Sequence, residues 1–226
     1  MRLFAVLVAV VILFVLTACR YYEVTTVTLQ EGVDGYSGTK DAHLMEFLGY
    51  NDNNTGGYHT MEAARFVGSA DDADKAIVIG FDLSSISSSA RVLEATLELY
   101  FIGERGGSGE PKFLSVHRMT EAWVEGNGAV DIYGDEVPGV NWDWLAALPP
   151  KFEGKTLAEE RIEATPDVWY SFDITSVVRD WVRGVSPNYG MLILENNPSS
   201  VDGTKQFRTS EYSEVSKRPK LTIRYQ

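Results

Sequence analysis

The chain has 226 residues, of which 44% are hydrophobic and 12% are aromatic, and its formal net charge is −12 at pH 7. This apolar content is enough for a packed core and excludes an intrinsically disordered chain. The acidic balance argues against nucleic acid as a partner, because a negative surface repels phosphate groups at long range.

The first 18 residues have the pattern of a secretory signal. Residues 3–16 form an apolar run after Arg2, and this run is too short for a comfortable membrane span. A branched residue and two small ones then precede Cys19, which resembles the lipobox of bacterial lipoproteins. The resemblance implies cleavage after residue 18 and a lipid on Cys19, which anchors the domain to a bacterial membrane in the cell envelope. An ordinary secretory signal with an incidental cysteine is the alternative.

Short segments with strand patterns follow one another from residue 21 to the C terminus. Alternation with a period of two is clearest in residues 77–83 and 93–99. Further strands are predicted over residues 21–30, 42–47, 60–67, 113–119, 169–172, 190–194, 206–209 and 220–225. Many short strands separated by turns indicate an all-β fold, a β-sandwich. We expect residues 19–30 to contain the lipidated N terminus and the first strand, and residues 31–226 to form the sandwich domain.

One short helix is predicted near the C-terminal end. Five apolar residues recur at helical spacing and share one face: Ile174, Val177, Val178, Trp181 and Val182. Asp173 precedes them and can cap the helix, and Gly184 suits the left-handed residue after its end. The apolar run 190–194 is expected to be a strand covered on both faces. Residues 156–162, by contrast, predict one or two helical turns.

Several segments together resemble a known family. They are residues 32–42, 80–86, 95–100, 123–125, 140–142, 172–175, 188–190, 210–212 and 218–221. In this order they are similar to the motifs of DNRLRE domains, which are grouped with carbohydrate-binding module family 96. The resemblance implies a jelly-roll β-sandwich of two antiparallel sheets on a secreted or surface protein, and some members bind acidic polysaccharide such as alginate. Gly80 stands where members commonly have Arg or Lys.

Catalysis has little support in the sequence. His43, His59 and His117 are dispersed and lack the spacing of metal ligands. No G-x-S-x-G motif is present, and no pair of carboxylates stands out for glycoside cleavage. We therefore predict a protein that is not an enzyme.

A calcium loop is the weaker of two ligand signals. Asn51, Asn53, Thr55, Gly56 and Glu62 fall at positions 1, 3, 5, 6 and 12 of the calcium-loop spacing. This pattern makes structural calcium the one candidate cofactor, with oxygen ligands from Asn51, Asn53, Thr55 and Glu62. An Asn- and Gly-rich turn between strands is the alternative, and it is favoured because the flanks read as strands.

Sugar binding is expected to use aromatic side chains on loops. The candidates lie in loop-like stretches: Tyr50, Tyr58, Tyr133 and Trp144. Three arginines are candidate contacts for an anionic sugar, or else pair with neighbouring acids: Arg65, Arg105 and Arg118. The remaining tryptophans are expected to pack in the core.

The sequence supports three hypotheses of function. The first is a non-catalytic, surface-anchored domain that binds polysaccharide. The second is a structural or adhesive envelope protein that makes protein–protein contacts. The third is an accessory subunit of an enzyme that degrades polysaccharide. In every case the lipid on Cys19 is expected to bind a membrane, and nucleic acid is not expected as a partner. The sequence does not specify a protein partner.

Overall fold

Two antiparallel sheets face each other across an apolar core, so the predicted β-sandwich is confirmed. The computed structural model describes residues 23–46, 53–65, 74–107, 109–128, 139–196 and 203–226. In chain order the strands are β1 (Thr25–Gln30), β2 (Thr39–Met45), β3 (Thr60–Ala63), β4 (Lys75–Phe81), β5 (Val92–Arg105), β6 (Lys112–Met119), β7 (Phe152–Ile162), β8 (Val168–Asp173), β9 (Met191–Glu195), β10 (Thr204–Arg208) and β11 (Lys220–Tyr225). The helices are α1 (Trp142–Ala146) and α2 (Thr175–Val182), and a 3-10 turn covers Val215–Lys217.

The first sheet is built on β5. Its strand order is β1-β11-β5-β10-β3, and β8 pairs with β5 outside this path. Because β5 is long, β11 and β10 follow each other along one of its edges while β8 occupies the other. β5 therefore connects β8, β10 and β11 within the first sheet. In chain order, the strands alternate between the two sheets over much of the chain.

The second sheet has the order β2-β4-β9-β6-β7, and its middle strands are buried on both faces. Ile77 and its partner Ile193 point into the core between the sheets. Val78 and its partner Leu192 point outward into a second apolar cluster. This two-sided burial confirms the strand predicted from the apolar run 190–194.

The predicted helix is confirmed as α2. All five apolar residues of its predicted face are buried in the core. The N-cap residue is Ile174 rather than the predicted Asp173; Asp173 lies one position earlier, and its Oδ1 accepts a hydrogen bond from the Thr175 N–H at 2.9 Å. Gly184 follows the helix with a φ of 68°, the left-handed conformation that glycine adopts without steric cost.

Two local predictions differ from the structure. Residues 156–162 belong to β7 rather than to helical turns, because their backbone pairs with β6 along most of its length. Tertiary pairing has overridden the local helix propensity of this stretch. The short helix α1 was not predicted; Asn141 caps it by accepting a hydrogen bond from the Trp144 N–H at 2.8 Å.

The predicted membrane anchor lies outside the part of the chain that the structure describes, because Cys19 falls in residues 1–22. Within the described ranges no helix is both long and apolar enough to cross a membrane.

Truncation of Trp181 is expected to destabilise the domain strongly. Trp181 is 8% exposed and packs in the core between the sheets. We expect Trp181→Ala to lower the free energy of unfolding by about 3–5 kcal/mol, the usual effect of removing a buried Trp side chain. Urea denaturation of the variant measures this change. Val185→Ala is the control, because Val185 is 67% exposed, and an equal loss in both variants would contradict the prediction.

Candidate functional site

The outer face of the second sheet is covered by the segment that follows β6. Trp123, Val140 and Leu145 from this segment pack on the outward side chains of β2, β4 and β9. Trp123 Nε1 donates a hydrogen bond to the Tyr189 carbonyl oxygen at 2.7 Å. This bond ties the segment to the loop before β9 and fixes the aromatic ring on the sheet.

An open groove of about 300 Å³ runs along this covering segment. Its walls include Trp123, Val124, Val140 and Trp144. Trp144 is the predicted sugar-binding tryptophan, and it is half-buried on α1. The groove therefore presents one partly exposed indole ring beside an apolar wall; we call it the Trp144 groove.

A second groove of about 370 Å³ lies beside it and is lined by Lys40, Gly80, Asp82 and Tyr189 among others. Lys40 Nζ donates a hydrogen bond to the Trp123 carbonyl oxygen at 2.8 Å and lies 4.0 Å from the centroid of the Trp123 ring. Lys40 and Gly80 are cross-strand partners, and a Cβ atom on Gly80 would lie 3.2 Å from Lys40 Cε. Lys40 thus places a cation next to Gly80, the position where DNRLRE domains, which the sequence resembles, commonly have Arg or Lys.

The predicted sugar-binding tyrosines are only partly described. Tyr58 is 41% exposed, and its ring contacts that of His43 edge-to-face with the centroids 6.1 Å apart. Tyr50 and Tyr133 lie outside the described residues. Tyr58 does not line the Trp144 groove.

The three predicted arginines have acidic partners. Arg105 pairs with Glu62 at 3.0 Å, and Arg65 lies 4.0 Å from Asp74. Arg118 pairs with Glu153. These ion pairs are the alternative that the sequence left open.

A different set of three arginines lines a single groove. Arg91, Arg179 and Arg183 line a groove of about 710 Å³ together with Ser88 and Ser89. None of the three forms an ion pair within the described ranges, although Arg179 donates hydrogen bonds to the Val92 carbonyl oxygen at 3.2 and 3.3 Å. This basic groove, called the Arg91 groove, was not predicted, because Arg91 is far in sequence from Arg179 and Arg183.

The predicted calcium loop has other bonding partners. Thr55 Oγ1 donates to the His43 carbonyl oxygen at 2.6 Å and accepts from the His43 N–H at 2.9 Å. The Glu62 carboxylate binds Lys75 at 2.5 Å as well as Arg105. Asn53 Oδ1 is buried without a partner, and Asn51 lies outside the described residues. Thr55 and Glu62 are therefore engaged in structural contacts.

Three other carboxylates converge where the two sheets meet at the open edge of β2. Asp41 comes from β2, Glu125 from the segment after β6, and Glu211 from the segment after β10. One oxygen from each lies within 4.8 Å of the others. Asp41 is fully buried, and Glu125 and Glu211 are half-buried. We call this set the carboxylate cluster.

Two backbone N–H groups and one side-chain hydroxyl hold the cluster in place. Asp41 Oδ2 accepts a hydrogen bond from the Ser210 N–H at 2.9 Å. Glu125 Oε1 accepts one from the Asp41 N–H at 2.5 Å, and Glu211 Oε1 accepts one from the Ser210 hydroxyl at 2.9 Å. Asp41 Oδ1 and Glu211 Oε2 are buried and have no hydrogen-bond partner.

Burial makes the ionised form of these groups costly. Burial, with the charge of Glu211 nearby, raises the pKa of Asp41 well above its usual value. Burial also raises the pKa of Glu125 from 4.5 to about 7. Sequence reasoning missed the cluster, although each acid lies in one of the segments that carried the family resemblance.

No family model matches this chain, and no curated protein matches it either.

The titration of Glu125 is expected to affect stability in metal-free buffer. Because its folded pKa is about 7, the folded chain keeps a proton that the unfolded chain releases above pH 4.5. The resulting stabilisation is complete below that pH and is lost as the pH rises through 7. We expect Glu125→Gln to reduce the fall in melting temperature between about pH 5 and about pH 7.5. His43 acts in the opposite sense, since burial lowers its pKa to about 4.

Burial raises the pKa of Asp41 as well, with Glu125 contributing, so the difference between Glu125→Gln and wild type reports Glu125 together with its coupling to Asp41. Glu121→Gln is the matched control, because Glu121 is exposed and pairs with Lys151 at 2.8 Å. Identical pH profiles for Glu125→Gln and wild type would contradict the assigned titration.

Proposed function

We propose that this chain is a non-catalytic domain that binds polysaccharide and is held at a bacterial membrane by a lipid on Cys19. The observation that carries the proposal is the half-buried Trp144 in an open groove beside the Trp123 wall. A sugar ring stacks on an indole face through its axial C–H groups, and a shallow groove admits a long chain where a closed cavity does not. The binding site in this proposal is the Trp144 groove.

The polar surroundings of the groove support the same ligand class. Lys151 Nζ lies 5.6 Å from the centroid of the Trp144 ring and pairs with Glu121. Lys40 lies on the other side of Trp123, in the adjacent groove. Lys151 is buried and its charge is balanced by Glu121, so Lys40 is the cation that offers a positive charge to a sugar carboxylate near this groove. The resemblance to DNRLRE domains, in which some members bind alginate, agrees with this chemistry.

The overall charge sets the expected ligand preference. With a net charge of −12, the chain repels a polyuronate at long range unless cations lie close to the bound sugar. A neutral glycan that stacks on Trp144 releases no counterions, so its affinity is expected to change little with salt. Binding of alginate, by contrast, is expected to be weak in chelator.

Replacement of Trp144 tests the site. We expect Trp144→Ala to weaken glycan binding by about tenfold or more, equivalent to roughly 1.4 kcal/mol of lost contact. The measurement is a titration of the full chain in detergent with xylan, a neutral glucan and alginate, each at low and high salt. Trp169→Ala is the matched control, because Trp169 is also half-buried but lies on β8 of the other sheet.

Two outcomes would contradict this assignment. Binding to none of the glycans would remove the proposed function and favour an adhesive role. Tight alginate binding that weakens steeply with salt, and that Arg183→Gln abolishes while Trp144→Ala does not, would move the site to the Arg91 groove.

Replacement of Cys19 tests the anchor. We expect Cys19→Ser to release the protein from the membrane fraction or to block its processing, because the lipobox requires the thiol as the lipid acceptor. Fractionation of cells that express each form, followed by mass measurement of the N terminus, checks this. A serine variant that is cleaved and fractionates with membranes as before would show that Cys19 is not the anchor.

A further inference from the structure

Buried carboxylates need a partner of opposite charge, and the carboxylate cluster has none of the ordinary kind. No lysine, arginine or histidine among the described residues forms an ion pair with Asp41, Glu125 or Glu211. Lys40 is next to Asp41 in sequence, but its ammonium group binds the Trp123 carbonyl oxygen over the Trp123 ring. Lys40 interacts electrostatically with Glu125 from beyond ion-pair distance, so the three acids face one another with no direct cationic partner among the described residues.

Two carboxylate oxygens of the cluster also accept no hydrogen bond. Asp41 is 0% exposed, yet its Oδ1 accepts no hydrogen bond from the described residues, and neither does the buried Oε2 of Glu211. Ser210 cannot serve both, because its hydroxyl has a single proton and donates it to Glu211 Oε1. An unpaired polar atom in a dry environment costs free energy, so two such oxygens in one cluster point to a missing ligand.

We propose that Asp41, Glu125 and Glu211 bind a calcium ion that joins the two sheets at the open edge of β2. All three ligands are carboxylate oxygens, which hard divalent cations prefer over the softer transition metals. Calcium binds oxygens at about 2.3–2.6 Å, so two ligands on opposite sides of the ion stand roughly 5 Å apart. The three oxygens lie within 4.8 Å of one another, which is close enough for all three to bind one ion.

Magnesium fits this site less well. Its oxygen ligands lie at about 2.0–2.1 Å, and it demands a nearly regular octahedron. The cluster draws its ligands from three separate segments, which are held by two backbone N–H donors and one side-chain hydroxyl. Such an irregular set suits the flexible coordination of calcium.

The proposed ion has a structural consequence. Asp41 lies on β2 of the second sheet, whereas Glu211 follows β10 of the first. Glu125 comes from the segment that also bears Trp123. Calcium would therefore link both sheets and the covering segment, and it would stabilise the folded chain because the unfolded chain cannot bring the three acids together.

Calcium binding is tested directly on the full chain in detergent after removal of metal with chelator. We expect titration calorimetry to give one site with a dissociation constant below about 1 mM, and calcium to raise the melting temperature. Magnesium at the same concentration is expected to have a smaller effect. Terbium should bind competitively with calcium and should emit when tryptophan is excited, because Trp123 lies two residues from Glu125.

Variants assign the ligands. We expect Glu211→Gln and Glu125→Gln each to weaken calcium binding at least tenfold, since each keeps the side-chain shape and loses the charge. Glu214→Gln is the matched control, because Glu214 lies in the same segment as Glu211 and its exposed carboxylate pairs with Lys217 at 2.9 Å. The control is expected to bind calcium as wild type does.

Three results would overturn the proposal. They are the absence of binding heat and of any melting shift at about 10 mM calcium, unchanged binding in Glu211→Gln, and tighter binding of magnesium than of calcium. The glycan titrations of Trp144→Ala do not depend on these results, so the calcium site and the glycan site can fail separately.

Discussion

The burial of β4 and β9 on both faces is the constraint on which the rest of the structure depends. A sheet of this kind is covered on one side by the opposite sheet, and here its other side also needs an apolar cover. The segment after β6 supplies that cover with Trp123 and the helix α1. Because this segment must lie on the sheet, it carries Trp144 to the surface and Glu125 to the edge of β2.

The two ligand surfaces are consequences of this one packing requirement. Trp123 fills the outer cluster with most of its ring, and its remaining wall forms one side of the Trp144 groove. Two residues later, Glu125 accepts the Asp41 N–H. The proposed glycan site and the carboxylate cluster therefore share one short segment, so movement of that segment affects both.

The elements with a clear period were predictable from the sequence. The face of α2 follows from five apolar residues at helical spacing, and the buried strand β9 follows from an unbroken apolar run. The stretch 156–162 was not predictable locally, because Leu157, Ala158 and Glu159 favour a helix and only pairing with β6 makes them a strand.

The site was less predictable than the fold for a related reason. Asp41, Glu125 and Glu211 are separated by more than eighty residues from one to the next, so no spacing rule joins them. The calcium loop that a local rule did suggest has Thr55 and Glu62 engaged with His43, Lys75 and Arg105. Among the candidates for sugar binding, Trp144 lies in a groove, whereas the arginines pair with acids.

The open edge of β2 has a consequence for how this chain behaves beside its neighbours. An edge strand with free N–H and C=O groups can add a strand from another molecule. Here the Thr55 hydroxyl forms hydrogen bonds with both the N–H and the C=O of His43, and the Glu125 carboxylate accepts the N–H of Asp41. Glu125, which binds the Asp41 N–H at this edge, is thus also a member of the carboxylate cluster. Movement of Glu125 away from Asp41 would leave the Asp41 N–H free to pair with an added strand.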